Sequence, residues 1–500
     1  MTKFLKKNWL LLLAELIVLF VFCAFYGRFG DIAVDSFREA YIPEQMLNGG
    51  ILYKNIFCIY PPLGYLINEL LFKIFGVNLN VLYFAGLFST MCIFALVYNI
   101  TRMFFDKSLS FGILFFLISA CVLSPNAFNM FLPYSFGILY GLLFALGSIY
   151  SALNKKFPLA YLLCSLAICS KAEFLFLFPA LFYISGKDML KKNLIAFIIP
   201  FFAALGILLL QGAKLADLKL SYDLIRLIGS SETLHNFYYS MGLIPSLEHI
   251  PLYITNLIKF VLPYSVKLYQ TVLIWAFPLI LCLFIFRFKN LNKNERFIII
   301  ASLLITIKVF AALTLQSYGV YFTGFALISL GILLGNNKLR KGFSVLLIVW
   351  ALIVGYNNAK ILSSKSYALK TDKGTVKVIP DKGDALNKVL NYLQNTPANT
   401  TVTVFPEELS INFLSNRKGD NKFYSLIPLY VEVFGEDNIQ KHIELFHTDY
   451  IIITDLDTKE YGRNKFGVDY GAEILKAIEK YYVPVEIINN GKYKIYSYKN

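Results

Sequence analysis

Two short stretches of this chain hold ionisable side chains in arrangements that can do chemistry. The first is Asp35-Ser-Phe-Arg38-Glu39. Ser36 and Glu39 have the spacing of a capping box, which predicts a helix running towards Leu47. Asp35 then stands just before the helix start, where unpaired backbone N–H groups favour its anionic form. A carboxylate held there can take a proton from a hydroxyl if the two are aligned. The plain alternative is an acid that is only solvated or capping, and Asp31 invites the same reading. The second stretch is Ser170-Lys171-Ala172-Glu173, which interrupts two apolar runs. An ammonium in such a place is costly unless it pairs with Glu173, meets a headgroup or binds an anion. A lipid phosphate is the anion that arrives at that depth.

The elements that position these residues are set by the composition. Hydrophobic residues fill 57% of 500 positions, with 46 Phe and 33 Tyr, against an ordinary share of roughly 45–50%. Backbone groups left unpaired in lipid are so costly that a spanning helix needs about 20 mostly apolar residues. Runs at 8–26, 78–100, 109–124, 133–153, 157–171, 174–185, 193–211, 264–286, 297–315, 319–335 and 342–357 are candidates, which predicts about eleven spans. The pair 157–171 and 174–185 is short and reads equally as a tilted or broken helix. Residues 1–358 thus form a polytopic α-helical membrane part, and residues 359–500 read as an ordinary small α/β domain.

Charge orients the chain. With a cytoplasmic N-terminus, the inside segments carry Lys3, Lys6 and Lys7; Arg102 and Lys107; Lys155 and Lys156; Lys187, Lys191 and Lys192; Arg287, Lys289, Lys293 and Arg296; and Lys338, Arg340 and Lys341. That is the positive-inside bias. It accounts for most of the formal net charge of +15 and leaves little for a nucleic-acid partner. An odd number of spans exports the C-terminal domain from a cell (cytoplasmic or inner) membrane. The first segment lacks a convincing small-residue cleavage site and reads as an uncleaved span. The outer loop 27–77 is far longer than a turn, and its apolar stretch 63–75 predicts a helix lying at the interface. Pro43 is expected to shorten or bend the preceding helix and Gly49-Gly50 to stop it.

In the tail, Thr401-Val-Thr-Val-Phe-Pro406 and Tyr450-Ile-Ile-Ile-Thr-Asp455 predict buried strands, residues 471–481 a helix, and Asn489-Asn-Gly-Lys the turn of a terminal hairpin. Nothing there spaces a nucleophile, a base and an orienting group, so the tail is expected to bind or cover rather than react. All seven cysteines lie in or near the membrane part, so the tail folds without disulfides. His235, His249, His442 and His447 do not form a convincing metal-ligand set. No glycine fingerprint of a soluble nucleotide site stands out. No metal and no cofactor are expected.

Asp35-Ser-Phe-Arg38, followed by Met46-Leu-Asn-Gly49 and Tyr60-Pro-Pro-Leu63, then Ser170-Lys171, and in the tail Leu414-Ser-Asn-Arg417, Asp449-Tyr-Ile-Ile-Ile-Thr and Phe466-Gly-Val-Asp-Tyr470, occur in order over nearly the whole chain. In this the chain resembles the multispanning GT-C glycosyltransferases that use polyprenyl-phosphate-linked sugars, particularly the bacterial glycosyltransferase family 39-like and aminoarabinose-transferase-like branch. The resemblance implies a catalytic acid at Asp35, a partner at Arg38 and a carrier-phosphate contact at Lys171, with Glu173 beside it. Many relatives place a lysine just before the paired prolines, where this chain has Tyr60. Some present a second acid from the next outer loop, where this chain offers Asn126 or Asn129, neither able to act as a carboxylate base. The implied reaction is inverting transfer of a sugar to a hydroxyl on a lipid, glycan or protein at the outer face, among membrane lipids. A lipid or lipid-linked-sugar transporter and a noncatalytic envelope-assembly protein are the alternatives.

Overall fold

The computed structural model describes residues 2–33, 35–240, 268–311, 320–420 and 422–499. Its first half contains the helices α1 (Thr2–Ala24), α2 (Asp35–Leu47), α3 (Leu63–Phe75), α4 (Leu79–Thr101), α5 (Lys107–Leu117), α6 (Phe136–Leu153), α7 (Phe157–Ser170), α8 (Phe178–Ser185) and α9 (Lys187–Leu210). Among the described residues, four helices are long and apolar enough to cross a membrane: Leu79–Thr101, Phe136–Leu153, Lys192–Leu210 and Asn337–Ser364. Shorter apolar helices occupy Asn8–Ala24, Lys107–Val122, Phe157–Ser170, Ala172–Ser185 and Val320–Leu334. The chain is therefore a multi-pass membrane protein, but the expectation of about eleven full-length spans is corrected.

The correction has a local cause. α7 has 14 residues, about 21 Å at 1.5 Å per residue, against a hydrocarbon core of about 30 Å. At Lys171 the backbone turns extended (φ −155°, ψ 123°) before a 3₁₀ segment, Ala172–Leu177, leads into α8. In α1 the backbone leaves helical geometry at Asn8, and α5 ends in a π turn over Ile118–Val122. Apolar runs of adequate length in the sequence are thus broken or shortened as helices. Helices Leu268–Arg287 and Lys293–Ala311 occupy the described parts of 264–286 and 297–315. The start of the former run, the end of the latter, residue 319 and His249 lie outside the described residues.

Residues 27–77, expected to be an outer loop, form two helices. α3 covers the apolar stretch 63–75 and exposes Leu70, Ile74 and Phe75. α2 starts at Asp35 itself, two residues before the Phe37 that a capping box on Ser36 would make the first helical residue. That box does not form. Ser36 Oγ accepts from Asp31 N at 3.0 Å, and Glu39 Oε2 accepts from Phe136 N at 2.7 Å. Glu39 therefore caps α6, 97 residues away, because the orphan N–H of a buried helix end demands a partner more strongly than an end near solvent. Pro43 does not shorten α2, which runs to Leu47. A proline strips a partner from the carbonyl four residues back; here that carbonyl, Glu39 O, accepts from Asn68 Nδ2 of α3 at 3.4 Å.

Three helices cross without side chains between them. A Cβ on Gly64 would stand 2.9 Å from the Gly137 backbone, and a Cβ on Gly137 would stand 2.5 Å from Ser170 O. α3, α6 and the end of α7 are thus in backbone contact immediately before Lys171.

The tail builds a four-stranded sheet in the order β3-β4-β6-β5. After a small antiparallel pair, β1 (Tyr367–Ala368) with β2 (Lys377–Val378), come β3 (Val402–Phe405), β4 (Tyr450–Thr454), β5 (Tyr482–Ile488) and β6 (Tyr493–Tyr498). β3 and β4 are parallel and the other neighbours antiparallel. The hairpin turns through Asn489, Asn490 and Gly491, all at positive φ as the Asn-Gly signal requires. Helices Pro380–Gln394 and Ala472–Tyr481 belong to the same part of the chain.

This tail sits on the 27–77 segment. Lys377 N donates to Gly27 O at 2.7 Å, and Gly419 N to Tyr41 Oη at 3.1 Å. Tyr424 Oη donates to Phe57 O at 3.1 Å, and Lys373 pairs with Glu44 at 2.7 Å. Loop and tail therefore lie on one side of the helices.

Candidate active site

α2 delivers Asp35 and Arg38 one turn apart. Arg38 Nη1 stands 3.2 Å from Asp35 Oδ1, and its Nη2 donates to Tyr134 O at 3.2 Å. Its Nε faces Glu39 Oε1 at 3.8 Å, an ionic contact too long for a hydrogen bond. Arg38 and Glu39 are buried, whereas the Asp35 side chain keeps 28% of its surface exposed. Asp35 is thus the member of this group that remains open to an incoming hydroxyl.

Tyr60 is the joint of the site. Arg38 Cζ lies 5.0 Å from its ring centroid and Lys171 Nζ 3.7 Å from the same centroid. Tyr134 gives Lys171 a second ring at 5.1 Å. Cations over ring faces are held by the ring quadrupole, more firmly when desolvated, and Lys171 is 3% exposed. Tyr60 therefore holds two cations together.

Burial raises the Asp35 carboxyl above its ordinary range; Arg38 and Lys171 work against that rise and Asp31 adds to it. At Glu39 burial also raises the carboxyl, while Arg38 and the Phe136 N–H oppose it. The same guanidinium thus opposes the rise at both acids.

A cavity of about 600 Å³ opens beside this group, lined by Tyr60, Pro61, Lys171, Glu173, Phe176 and Ile307 among others. Its floor at Phe176 and Ile307 is apolar, and its charged end is Lys171 and Glu173. Asp35 does not line it and connects to it through Arg38 and Tyr60. The structure thus brings Asp35, Arg38, Tyr60 and Lys171 together, with Glu173 on the cavity wall. Asn126 is not part of the group: its Oδ1 accepts from Ser124 Oγ and Phe128 N within its own loop. Asn129 is likewise spent on Phe131 N, Leu132 N and the Asn126 and Leu132 carbonyls. Among the described residues, no group of three or more His, Cys, Asp or Glu is placed to hold a metal.

Sequence reasoning missed Glu39 and Tyr134. Glu39 carried a signal in its position next to Arg38, but its partner across 97 residues did not. Tyr134 contributes a carbonyl and a ring, and neither leaves a mark in the sequence.

No protein-family model matches the chain, and comparison with curated proteins gives no match. Solved structures do match. The Archaeoglobus fulgidus oligosaccharyltransferase in complex with Zn and sulfate aligns at TM-score 0.52 and 14% identity, covering 98% of this chain and 73% of that one. The same organism's oligosaccharyltransferase AglB, in complex with an inhibitory peptide and a dolichol-phosphate, aligns at 0.52 and 12%, covering 99% and 75%. This chain shares the fold of these oligosaccharyltransferase structures. ArnT from Cupriavidus metallidurans bound to undecaprenyl phosphate aligns at 0.47 and 11%, covering 98% of both chains. At such identities the likeness is one of fold and does not place the chain in the family 39-like or aminoarabinose-transferase-like branch.

The Tyr60 geometry predicts a split between two replacements. Tyr60→Phe keeps the ring and should bind polyprenyl phosphate within about twofold of wild type. Tyr60→Leu removes the cation platform and should weaken that binding by roughly 3- to 30-fold. Equal affinities for wild type and Y60L, measured by equilibrium binding, would rule the platform out.

Proposed function

We propose that this chain transfers a sugar from a polyprenyl-phosphate donor to a hydroxyl-bearing acceptor, with inversion, at the outer face of the membrane. The observation that carries the reading is one continuous set of contacts from an accessible carboxylate to a buried ammonium: Asp35, Arg38, Tyr60, Lys171. The lipid chain lies along the apolar floor at Phe176 and Ile307, and its phosphate meets Lys171. The acceptor oxygen forms a bond to the anomeric carbon as the bond from that carbon to the phosphate oxygen breaks. Asp35 takes the hydroxyl proton, and the bonding pair leaves with the phosphate, where Lys171 and Arg38 balance the growing charge. The dolichol-phosphate bound to AglB, in the same fold, supports a lipid phosphate as the donor's carrier.

In this reading residues 1–358 are the transferase body, and residues 359–500 form an exported cover helping to shape the acceptor side. Purified protein incubated with a panel of polyprenyl-phosphate hexoses and pentoses should release polyprenyl phosphate with at least one of them, followed by mass spectrometry. Release that is unchanged in Asp35→Asn would overturn the reading.

The topology is tested separately. The side-chain positions Val468, in the tail, and Lys289, in a basic turn, are both exposed. In a variant lacking the exposed Cys23 and Cys282, Val468→Cys should react with an impermeant thiol reagent from outside intact cells and Lys289→Cys only after lysis. Labelling of both from one side would overturn the orientation.

A further inference from the structure

Glu39 is a fully buried carboxyl whose two oxygens have different neighbours. Oε2 accepts from Phe136 N at 2.7 Å and so caps α6, whose N-cap residue Ser135 supplies no side-chain bond of its own. Oε1 faces Arg38 Nε at 3.8 Å, and neither of those two atoms has a hydrogen-bond partner among the described residues. Both oxygens thus face N–H donors, which favours the carboxylate over an acid that would need an acceptor for its proton.

A cap alone does not account for this charge. An amide oxygen or a hydroxyl satisfies a helix N–H without burying an anion, and a buried anionic oxygen without a hydrogen bond is costly. The compensating group is the guanidinium. Among the described residues, two carboxylates make ionic contacts with Arg38: Asp35 at Nη1, 3.2 Å away, and Glu39 at Nε, 3.8 Å away. The third nitrogen, Nη2, donates to Tyr134 O at 3.2 Å, so each nitrogen of the guanidinium has its own neighbour.

The same residue ties α2 to α6. Its backbone O accepts from Asn68 Nδ2 at 3.4 Å, and Asn68 Oδ1 accepts from Tyr140 Oη at 2.8 Å. Tyr140 lies one turn beyond Phe136, so α2 is joined to α6 at two successive turns. Between them Gly137 meets Ser170 O, the residue before Lys171. The helix that carries Asp35 and Arg38 is therefore set against the helix that backs Lys171.

We propose that Glu39 is a positioning residue for the transfer: its charge draws Arg38 back from Asp35, so that the guanidinium does not close on the base and Asp35 stays free to take the hydroxyl proton. The inference rests on the reading of Asp35 as the base and Lys171 as the phosphate contact.

Removing the charge while keeping the cap is the direct test. Glu39→Gln leaves an amide oxygen for Phe136 N and turns an N–H donor towards Arg38 Nε, which no longer attracts the guanidinium. Turnover of a polyprenyl-phosphate sugar by the full-length protein should fall roughly 10- to 100-fold, the loss expected when a reacting group is held about 1 Å out of place. Equilibrium binding of polyprenyl phosphate should not weaken, because the variant removes a negative charge from the Arg38 end of the site. A packing defect would weaken both. The second readout is a double-mutant cycle: in an Arg38→Gln background, Glu39→Gln should cost no further turnover, since no guanidinium is left to position. Glu39→Met, uncharged and of similar length, takes the place of the amide in the same cycle if E39Q does not fold. Wild-type turnover in E39Q, a parallel loss of binding and turnover, or losses that add between E39Q and R38Q would each overturn the proposal. Lys171→Ala and Asp35→Asn separate it from the reading beneath it. If K171A binds polyprenyl phosphate as wild type does, or D35N turns over as wild type does, the site itself is wrong. If both are impaired as expected and the cycle is additive, only the role of Glu39 is wrong.

Discussion

Replacing Asp35 with asparagine should lower turnover of a polyprenyl-phosphate sugar by about 10²–10⁴-fold and leave donor binding largely intact. The amide preserves the size of the side chain and a contact for Arg38, which lies 3.2 Å away, but it cannot take a proton from the acceptor. In the proposed reading donor affinity survives because Lys171, at the other end of the contact set over Tyr60, holds the phosphate. The pH dependence has a definite sign. A base must be ionised to act, and burial raises the Asp35 carboxyl, so turnover is lost on the acid side at a pH above the ordinary aspartate range. Asp31→Asn is the control: Asp31 Oδ1 accepts from Ala33 N at 2.9 Å in its own turn, a bond the amide oxygen retains. Near-wild-type turnover in D35N, with D31N indistinguishable from it, would remove the catalytic assignment.

The second large effect is on binding. Lys171→Ala should weaken polyprenyl phosphate by about 10- to 100-fold, since a hydrogen bond to a charged group contributes roughly 1.5–3 kcal/mol. Lys293→Ala should leave the affinity unchanged, because that lysine is exposed at the start of helix Lys293–Ala311, away from Tyr60. Lys171 is the extended residue between α7 and the 3₁₀ segment, so alanine there removes the charge without interrupting a helix. Equal affinities for wild type and K171A in a correctly folded preparation would refute the phosphate contact.

What was legible in the sequence follows the range of the forces involved. α3 and the terminal hairpin were visible because apolar spacing and an Asn-Gly turn act over a few residues. The grouping of Asp35 with Arg38 was implied by the family resemblance, and the helix places the two one turn apart. The role of Glu39 was misread because its acceptor atoms serve a helix end 97 residues on. The persistence of α2 through Pro43 was hidden for the same reason, since the rescuing donor is Asn68 of another helix. Tyr60 read as a lost contact, yet ring faces hold cations only where the fold stacks them.

The bare crossing of α3, α6 and α7 has a consequence for how this site can change over generations. With Gly64, Gly137 and Ser170 touching through backbone, no rotamer at the crossing is left to adjust, so Lys171 inherits its location from three main chains at once. Selection for a different sugar or a longer lipid finds little variation to act on there. The free variables are in the apolar lining, at Phe176 and Ile307. Adaptation to a new donor should therefore proceed by resculpting those two positions around an anchor that stays put.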